Sequence, residues 1–437
     1  LFPLFSRAGF SANFIPVNHP MSNPSWLNLE HVWLPYAQMK TTPMPFPVVS
    51  AKGVRLKLAD GRELIDGISS WWTACHGYGH PHILEAVAKQ LELMPHVMFG
   101  GLAHEPAYKL AARLAAMLPG DLNHVFFTES GSVSVEVALK MAVQFWMNQG
   151  ERRTKFVSFK HGYHGDTFAT MAICDPEEGM HNLFRGIVPE QFVVDVPDTP
   201  KKLESLKTIV QKSGAEIAAV IIEPLIQGAG GMKFHDAAVL SKLRALCDEN
   251  SLPLIFDEIF TGFARTGTMF ACEQAGVAPD IICLSKALTG GTVPLAATVA
   301  SKKIYNAFLS DGGEKALMHG PTYMAYPLGC AAANASLDLF ASEPRLRQVA
   351  AIEAQLLQEL TPCRNLTGVA DVRVKGAVGV VQLDRAVDSE ALRLRFAERG
   401  CWIRPFGDIV YLTPPLVIGA NDLSSLTSAV YDVLHTN

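Results

Sequence analysis

Two charged residues stand where apolar runs end. Leu254-Ile-Phe-Asp257 closes a buried-strand pattern on an acid, and Ile281-Ile-Cys-Leu-Ser-Lys286 closes another on an amine. Open α/β sheets place ligands beyond the carboxyl ends of their strands. Taken singly, Asp257 could cap the next element and Lys286 could be a surface lysine. Taken together at one sheet edge, they fit one chemistry. A lysine in a dry setting has a lowered pKa and becomes a nucleophilic amine that condenses with an aldehyde. A buried carboxylate needs a cationic or donor partner, and a positive ring nitrogen is one. Aldehyde and ring nitrogen occur together in pyridoxal 5′-phosphate (PLP).

Such a cofactor also needs a phosphate anchor. Thr128-Glu-Ser130-Gly131-Ser132 joins an apolar run to a helical pattern. Free N–H groups, the helix dipole and a hydroxyl favour an anion there, although Ser130 would serve equally as a plain N-cap. Lys160-His-Gly-Tyr163-His-Gly-Asp166 puts an aromatic in another post-strand loop, where Tyr163 could stack on a ring. His161 and His164 have H-x-x-H spacing but no third ligand, so no metal site is expected. Gln227-Gly-Ala-Gly-Gly231 lacks the G-x-G-x-x-G spacing of a dinucleotide site. Trp71 and Trp72 read either as a stacking wall or as core.

The elements that must position these residues alternate between about residues 80 and 335. Pro81 suits the first turn of a helix with Ile83, Val87, Leu91 and Met94 on one face. Val135, Leu139, Ala142 and Trp146 mark a helix after Val125–Thr128. Lys155–Phe159, Ala218–Ile222, Leu254–Asp257 and Ile281–Leu284 read as buried strands, with a helix over Ala237–Glu249. Apolar runs between helices predict a mostly parallel sheet covered on both faces, an α/β large domain over 81–340. Beyond it come a helix near Arg345–Leu360, strands at Val372–Leu383 and Cys401–Leu412, and a helix bearing Leu423, Leu426, Val430 and Val433. This reads as a smaller α+β domain, 341–437. The segment 22–80, with strands near Val48–Ser50 and Val54–Leu58, joins it, so both chain ends build that domain.

The chain of 437 residues carries a net charge of −5, which gives no electrostatic case for nucleic acid or an anionic membrane. No apolar run approaches the length of a membrane span. The eight cysteines lie in apolar surroundings with no C-x-x-C pair, as free thiols of a reducing, cytoplasmic compartment would. Residues 1–21 lack a signal-peptide core and read as a non-native or upstream extension, with Met21 a natural start.

The order S-G-S, G-Y-H-G-D, I-F-D-E-I-F-T-G-F-A-R-T-G, S-K-A-L-T-G-G and H-G-P-T resembles the class III aminotransferases over nearly the whole chain after residue 28. That resemblance implies fold type I, a homodimer, and PLP held as a Schiff base on Lys286. It implies that Asp257 pairs with the ring nitrogen and Tyr163 lies against the ring and the substrate. Gly131 and Ser132 would hold the phosphate, with Pro321 and Thr322 of a second subunit. Ser69-Ser-Trp71-Trp72 through His80-Pro, and Cys401-Trp-Ile-Arg404-Pro-Phe-Gly, are similar to the biotin-pathway members of the family. These take the amino group of S-adenosylmethionine to 8-amino-7-oxononanoate. On that resemblance Tyr36, Trp71 and Trp72 wall the substrate, Arg404 takes the oxononanoate carboxylate, Asp166 and Arg265 complete the polar lining, and Gly320 comes from the partner.

The substrates fit such a lining. A carboxylate at the end of an alkyl chain suits apolar walls and a distal arginine. Adenine and a sulfonium suit π faces. Two segments depart from the family pattern: Leu34-Pro-Tyr36-Ala-Gln replaces H-P-Y-T-S, and Tyr326-Pro-Leu replaces Asn-Pro-Leu. The alternatives are a lysine-using enzyme of the same pathway step, or a diamine or ω-amino acid aminotransferase.

Overall fold

The computed structural model describes residues 24–177 and 180–436; the extension expected over 1–21 lies outside them. Seven strands form the central sheet, in the spatial order Leu122–Thr128, Ala296–Ser301, Ile281–Leu284, Leu254–Asp257, Ile217–Ile222, Lys155–Phe159, Phe192–Val194. The last five in that order run parallel to one another. Ala296–Ser301 runs antiparallel to both its neighbours. The sequence does not mark it as a strand, because Ala-Ala-Thr-Val-Ala-Ser carries little hydrophobicity. Its small residues suit close packing: Thr298 Oγ1 donates to Ser134 O on the Gly131–Met147 helix at 2.7 Å. That helix buries Val135, Leu139, Ala142 and Trp146 as the periodicity predicts.

The parallel register brings the two key charges together. Asp257 pairs with Cys283 across adjacent strands. Lys286 follows three residues later and opens a short 3-10 turn, Lys286–Thr289, with φ of +44°.

Strands from both chain ends share a second sheet. Val48–Lys52, Arg55–Leu58 and Glu63–Asp66 form a meander, and Cys401–Trp402 adds to it in parallel. A third sheet joins Val369–Lys375, Val378–Leu383 and Ile409–Leu412. The single strand expected over Cys401–Leu412 is therefore two short strands in different sheets. Pro405 has no N–H to donate and Gly407 takes φ of +57°, so the ladder breaks between them.

A second correction concerns the Pro81–Leu93 helix. Its inward side carries Ile83, Val87 and Gln90 against the Pro327–Ser342 helix, whereas Leu91 is exposed. Among the described residues no helix is long and apolar enough to cross a membrane.

Candidate active site

Four functional groups meet beyond the carboxyl edge of the central sheet. Asp257 is 4% exposed. Its Oδ2 lies 2.8 Å from His164 Nδ1, and its Oδ1 accepts from Ile259 N at 3.2 Å. Glu223 follows the Ile217–Ile222 strand, accepting from Tyr163 N and Gly228 N, each at 2.9 Å. Burial pushes Glu223 up to about 7. Burial opposes charge on His164, but the hydrogen bond and charge of Asp257, then Glu223, outweigh it and raise its pKa. Lys286 is shifted down, chiefly by desolvation, with Asp257, Glu223 and Asp166 opposing. Its Nζ sits 4.6 Å from the Trp72 ring.

At the start of the Gly131–Met147 helix, Ser130 caps Val133 N through its side chain. The N–H groups of Gly131 and Ser132 open that helix and have no intrahelical acceptor. Ser132 Oγ accepts from Asp166 N and Thr167 N, each at 3.1 Å, tying this end to the Tyr163 loop. The approach is close: a Cβ on Gly165, whose φ is +130°, would fall 2.2 Å from Ser132 Oγ.

The outer lining is aromatic and polar. Tyr36 OH donates to Asp166 Oδ2 at 2.5 Å, and Tyr163 OH to Asp166 Oδ1 at 3.0 Å. Burial, then the bond to Asp166, pushes Tyr36 up to about 12. Burial alone would raise Asp166, but His181, Tyr36 and Tyr163 together hold it below the usual range. Trp71 packs edge-on to Tyr36 at 5.9 Å and lies under the Arg404 guanidinium at 4.5 Å. None of the ion pairs among the described residues includes Arg404. Trp72 is buried against Phe260, 4.2 Å between centroids.

The turn that carries these tryptophans is left-handed. Ser69, Ser70, Trp71 and Trp72 have φ of +51°, +48°, +59° and +76°. Left-handed helical backbone costs roughly 1–2 kcal/mol per non-glycine residue, so other groups must hold it.

Arg265 lies deeper than a simple lining residue, at 2% exposure. Its Nη1 donates to Ala377 O and Pro414 O, while Nη2 is buried without a partner among the described residues. Burial brings its pKa down to about 10. Gly320, Pro321 and Thr322 sit in a loop fastened along the Gly131–Met147 helix, where Lys140 Nζ donates to Met318 O at 2.9 Å.

His164 and Glu223 lie outside the set of site residues that the sequence points to. Glu223 stands at a strand's carboxyl end, as Asp257 does, and that shared position was a usable signal. His164 offered no signal beyond its spacing from His161, and among the described residues no cluster could hold a metal ion.

PLP makes three demands on this chain, and the residues meet each. An aldehyde needs an amine of lowered pKa, and Lys286 has one. A protonated ring nitrogen needs a buried carboxylate, and Asp257 offers one. A phosphate needs free N–H donors at a helix start, which Gly131 and Ser132 provide. That set, at the carboxyl edge of a largely parallel sheet, defines a transferase of fold type I. A model of the family "Aminotransferase class-III" matches residues 36–434, and the chain belongs to that family.

Two relatives named adenosylmethionine-8-amino-7-oxononanoate aminotransferase are similar over nearly full length. The Buchnera aphidicola protein (from Acyrthosiphon pisum) is 44% identical over 93% of this chain and 96% of its own. That of Corynebacterium glutamicum is 45% identical over 94% and 99%. The Methanocaldococcus jannaschii structure of the same name superposes with TM-score 0.88 at 33% identity, covering 93% and 97% of the two chains. A PLP-bound amine transaminase from an uncultivated Pseudomonas species gives 0.87 at 31%, covering 93% and 99%.

Proposed function

We propose that this chain is the PLP-dependent transaminase that moves the α-amino group of S-adenosylmethionine to 8-amino-7-oxononanoate, giving 7,8-diaminononanoate for biotin. One observation carries the choice of substrates. Arg404 rests on Trp71 with no ion-pair partner among the described residues, one residue along from the Trp72 that faces Lys286. A half-buried guanidinium with no carboxylate paired to it among the described residues suits a ligand's carboxylate.

When bound, PLP supplies an aldehyde that takes up the amino group and a ring that accepts electrons from the adjacent carbon. The chain's residues do the rest. Lys286 Nζ, its pKa lowered by desolvation, would take the proton from the donor α-carbon and pass it to the cofactor's reacting carbon, and would carry a proton the opposite way in the second half-reaction. Asp257, braced by His164, would present its carboxylate to the ring nitrogen and favour its protonated form. Gly131 and Ser132 would hold the phosphate. Tyr163, with Tyr36 and Asp166, forms a hydroxyl-rich edge for the donor's polar groups. Trp71 and Tyr36 offer faces to the sulfonium and the adenine. The spare Nη2 of Arg265 is a second donor for a carboxylate, which the donor also carries.

The same reading makes the enzyme a homodimer with Gly320, Pro321 and Thr322 serving the neighbouring subunit's phosphate. Met98, Leu102, Tyr108, Met318 and Tyr323 are exposed on a single chain, and ring contacts join their segments: His96 to Tyr323 at 4.5 Å, Phe99 to Tyr108 at 6.0 Å. Large apolar side chains in such numbers suit a partner surface. The chain reads as a large PLP-binding domain, 81–340, and a small one from 22–80 and 341–437. Eight free, buried cysteines suit the cytoplasm.

Product formation with S-adenosylmethionine and with lysine as alternative donors tests the function. Turnover with S-adenosylmethionine is expected; turnover with lysine alone would move the enzyme to the lysine-using form of the same step. Light scattering of the holoenzyme tests the dimer, and a monomer at full activity would overturn it.

A further inference from the structure

Asp66 takes no part in the chemistry above, yet it is fully buried at the end of the Glu63–Asp66 strand, directly before the left-handed turn. None of the described ion pairs includes it. Its carboxylate is occupied by donors from the turn and from the loop beyond. Oδ1 accepts from Ile68 N and Oδ2 from Ser70 N, each at 2.9 Å. Oδ2 also accepts from Tyr78 OH, which meets Ser70 Oγ in turn.

Those contacts reach residues that no glycine eases. Ser70 and Trp71 have φ/ψ of +48°/+57° and +59°/+49°, in the left-handed helical well. The turn closes on its own bonds, Trp72 N to Ile68 O at 2.9 Å and Thr73 N to Ser69 O at 2.8 Å. Ser69 Oγ ties it to Thr413 O at 2.7 Å. A side chain's direction follows its backbone hand. If the turn relaxed to the right-handed well, Trp71 would leave Arg404 and Trp72 would leave Lys286.

We propose that Asp66 is a positioning residue of this active site: its carboxylate, with Tyr78, holds the left-handed turn Ser69–Trp72 and thereby sets Trp71 against Arg404 and Trp72 against Lys286. The inference rests on the reading of Trp71 and Arg404 as substrate wall and anchor. One buried carboxylate, contacting neither substrate nor cofactor, then governs both ends of the substrate channel.

The test uses the holoenzyme and three variants: Asp66→Asn, Tyr78→Phe, and Asp66→Asn combined with Ser70→Gly. Asparagine keeps size and one acceptor but turns an NH₂ either toward the Ile68 N–H or toward the Ser70 N–H and the Tyr78 hydroxyl together. Glycine adopts positive φ without steric cost. Asp66→Asn should still load PLP with its normal absorbance band. It should raise KM for both substrates about tenfold, the loss expected from one buried charged hydrogen bond, while kcat falls less. The near-UV circular dichroism of the tryptophans should weaken in parallel. Adding Ser70→Gly should recover part of the KM and of that signal, because one of the four positive-φ positions, the one Asp66 holds through its N–H, no longer carries a steric cost. Tyr78→Phe, which removes one of the three donors to Asp66 and is the milder change, should raise KM by less than Asp66→Asn does and carries the test if Asp66→Asn does not fold.

Lower thermal stability with unchanged KM and unchanged tryptophan signal would overturn the proposal and leave Asp66 a merely structural acid. So would absence of recovery in the double variant. The dichroism needs no substrate. A wild-type enzyme inactive with S-adenosylmethionine would therefore sink the substrate reading while leaving this test readable.

Discussion

His164 Nδ1 lies 2.8 Å from Asp257 Oδ2, and both side chains are shut off from solvent. Asp257 is thus paired within the protein. Removing one partner of a buried pair costs about 3–5 kcal/mol, because the other is left uncompensated. His164→Phe should lose stability of that order in urea unfolding, and should hold PLP more weakly. The pKa of His164 is raised on folding, by Asp257 and then Glu223 acting against burial. The pairing contribution is therefore complete below the ordinary histidine pKa of about 6.5 and declines as pH rises through the raised folded value. The stability gap between wild type and variant should be widest in mildly acid buffer and shrink toward high pH. A gap that widened with pH would contradict the assignment.

Lys286→Ala should fold and bind PLP without the absorbance band of a lysine-linked cofactor. Its turnover should fall by at least ~10²–10⁴-fold, the share a positioned acid–base group supplies. Near-normal turnover would remove Lys286 from the centre of the mechanism.

Desolvation lowers the pKa of the Lys286 amine. The neutral, reactive form should therefore accumulate at lower pH than for a free lysine, whose pKa is about 10.4. The rate of PLP capture by cofactor-free protein, measured against pH, should level off below that value. A midpoint at the ordinary lysine value would show that the amine is solvated.

Arg404→Ala separates anchor from scaffold. An unpaired carboxylate in the substrate channel costs about 2–5 kcal/mol, which weakens acceptor binding roughly thirtyfold to several thousandfold. The half-reaction of pyridoxamine-form enzyme with the keto substrate, followed by return of the cofactor band, reads this directly. Reduced thermal stability with unaltered acceptor dependence would instead make Arg404 a structural residue.

Tyr36→Phe removes the hydroxyl that donates to Asp166 at 2.5 Å. A hydrogen bond to a charged group contributes about 1.5–3 kcal/mol, so donor KM should rise roughly tenfold to a hundredfold with the cofactor band intact. Equal rates for both enzymes across donor concentrations would take Tyr36 out of the donor site.

Some of this site was legible in the chain alone. Asp257 and Lys286 each end an uninterrupted apolar run, and a charge there must emerge at a sheet edge. The Gly131–Met147 helix announces itself by its apolar period and its Ser130 cap. Such signals are local: strand burial, helix period and caps depend on residues within a few positions of one another. What only the tertiary structure decided involves partners far apart in sequence. His164 reaches Asp257 because the Lys155–Phe159 and Leu254–Asp257 strands both flank Ile217–Ile222 in parallel. Cys401–Trp402 joins the amino-terminal meander while Ile409–Leu412 joins another sheet, and the first of these brings Arg404 to Trp71. The left-handed turn is the clearest case. Ser69-Ser-Trp-Trp contains no glycine, so local preference favours the right-handed well. A buried carboxylate from the preceding strand, a tyrosine further along the loop and a carbonyl at Thr413 together hold the other hand. No pattern within the turn encodes that balance, because each holding group is placed by packing that the whole fold must first complete.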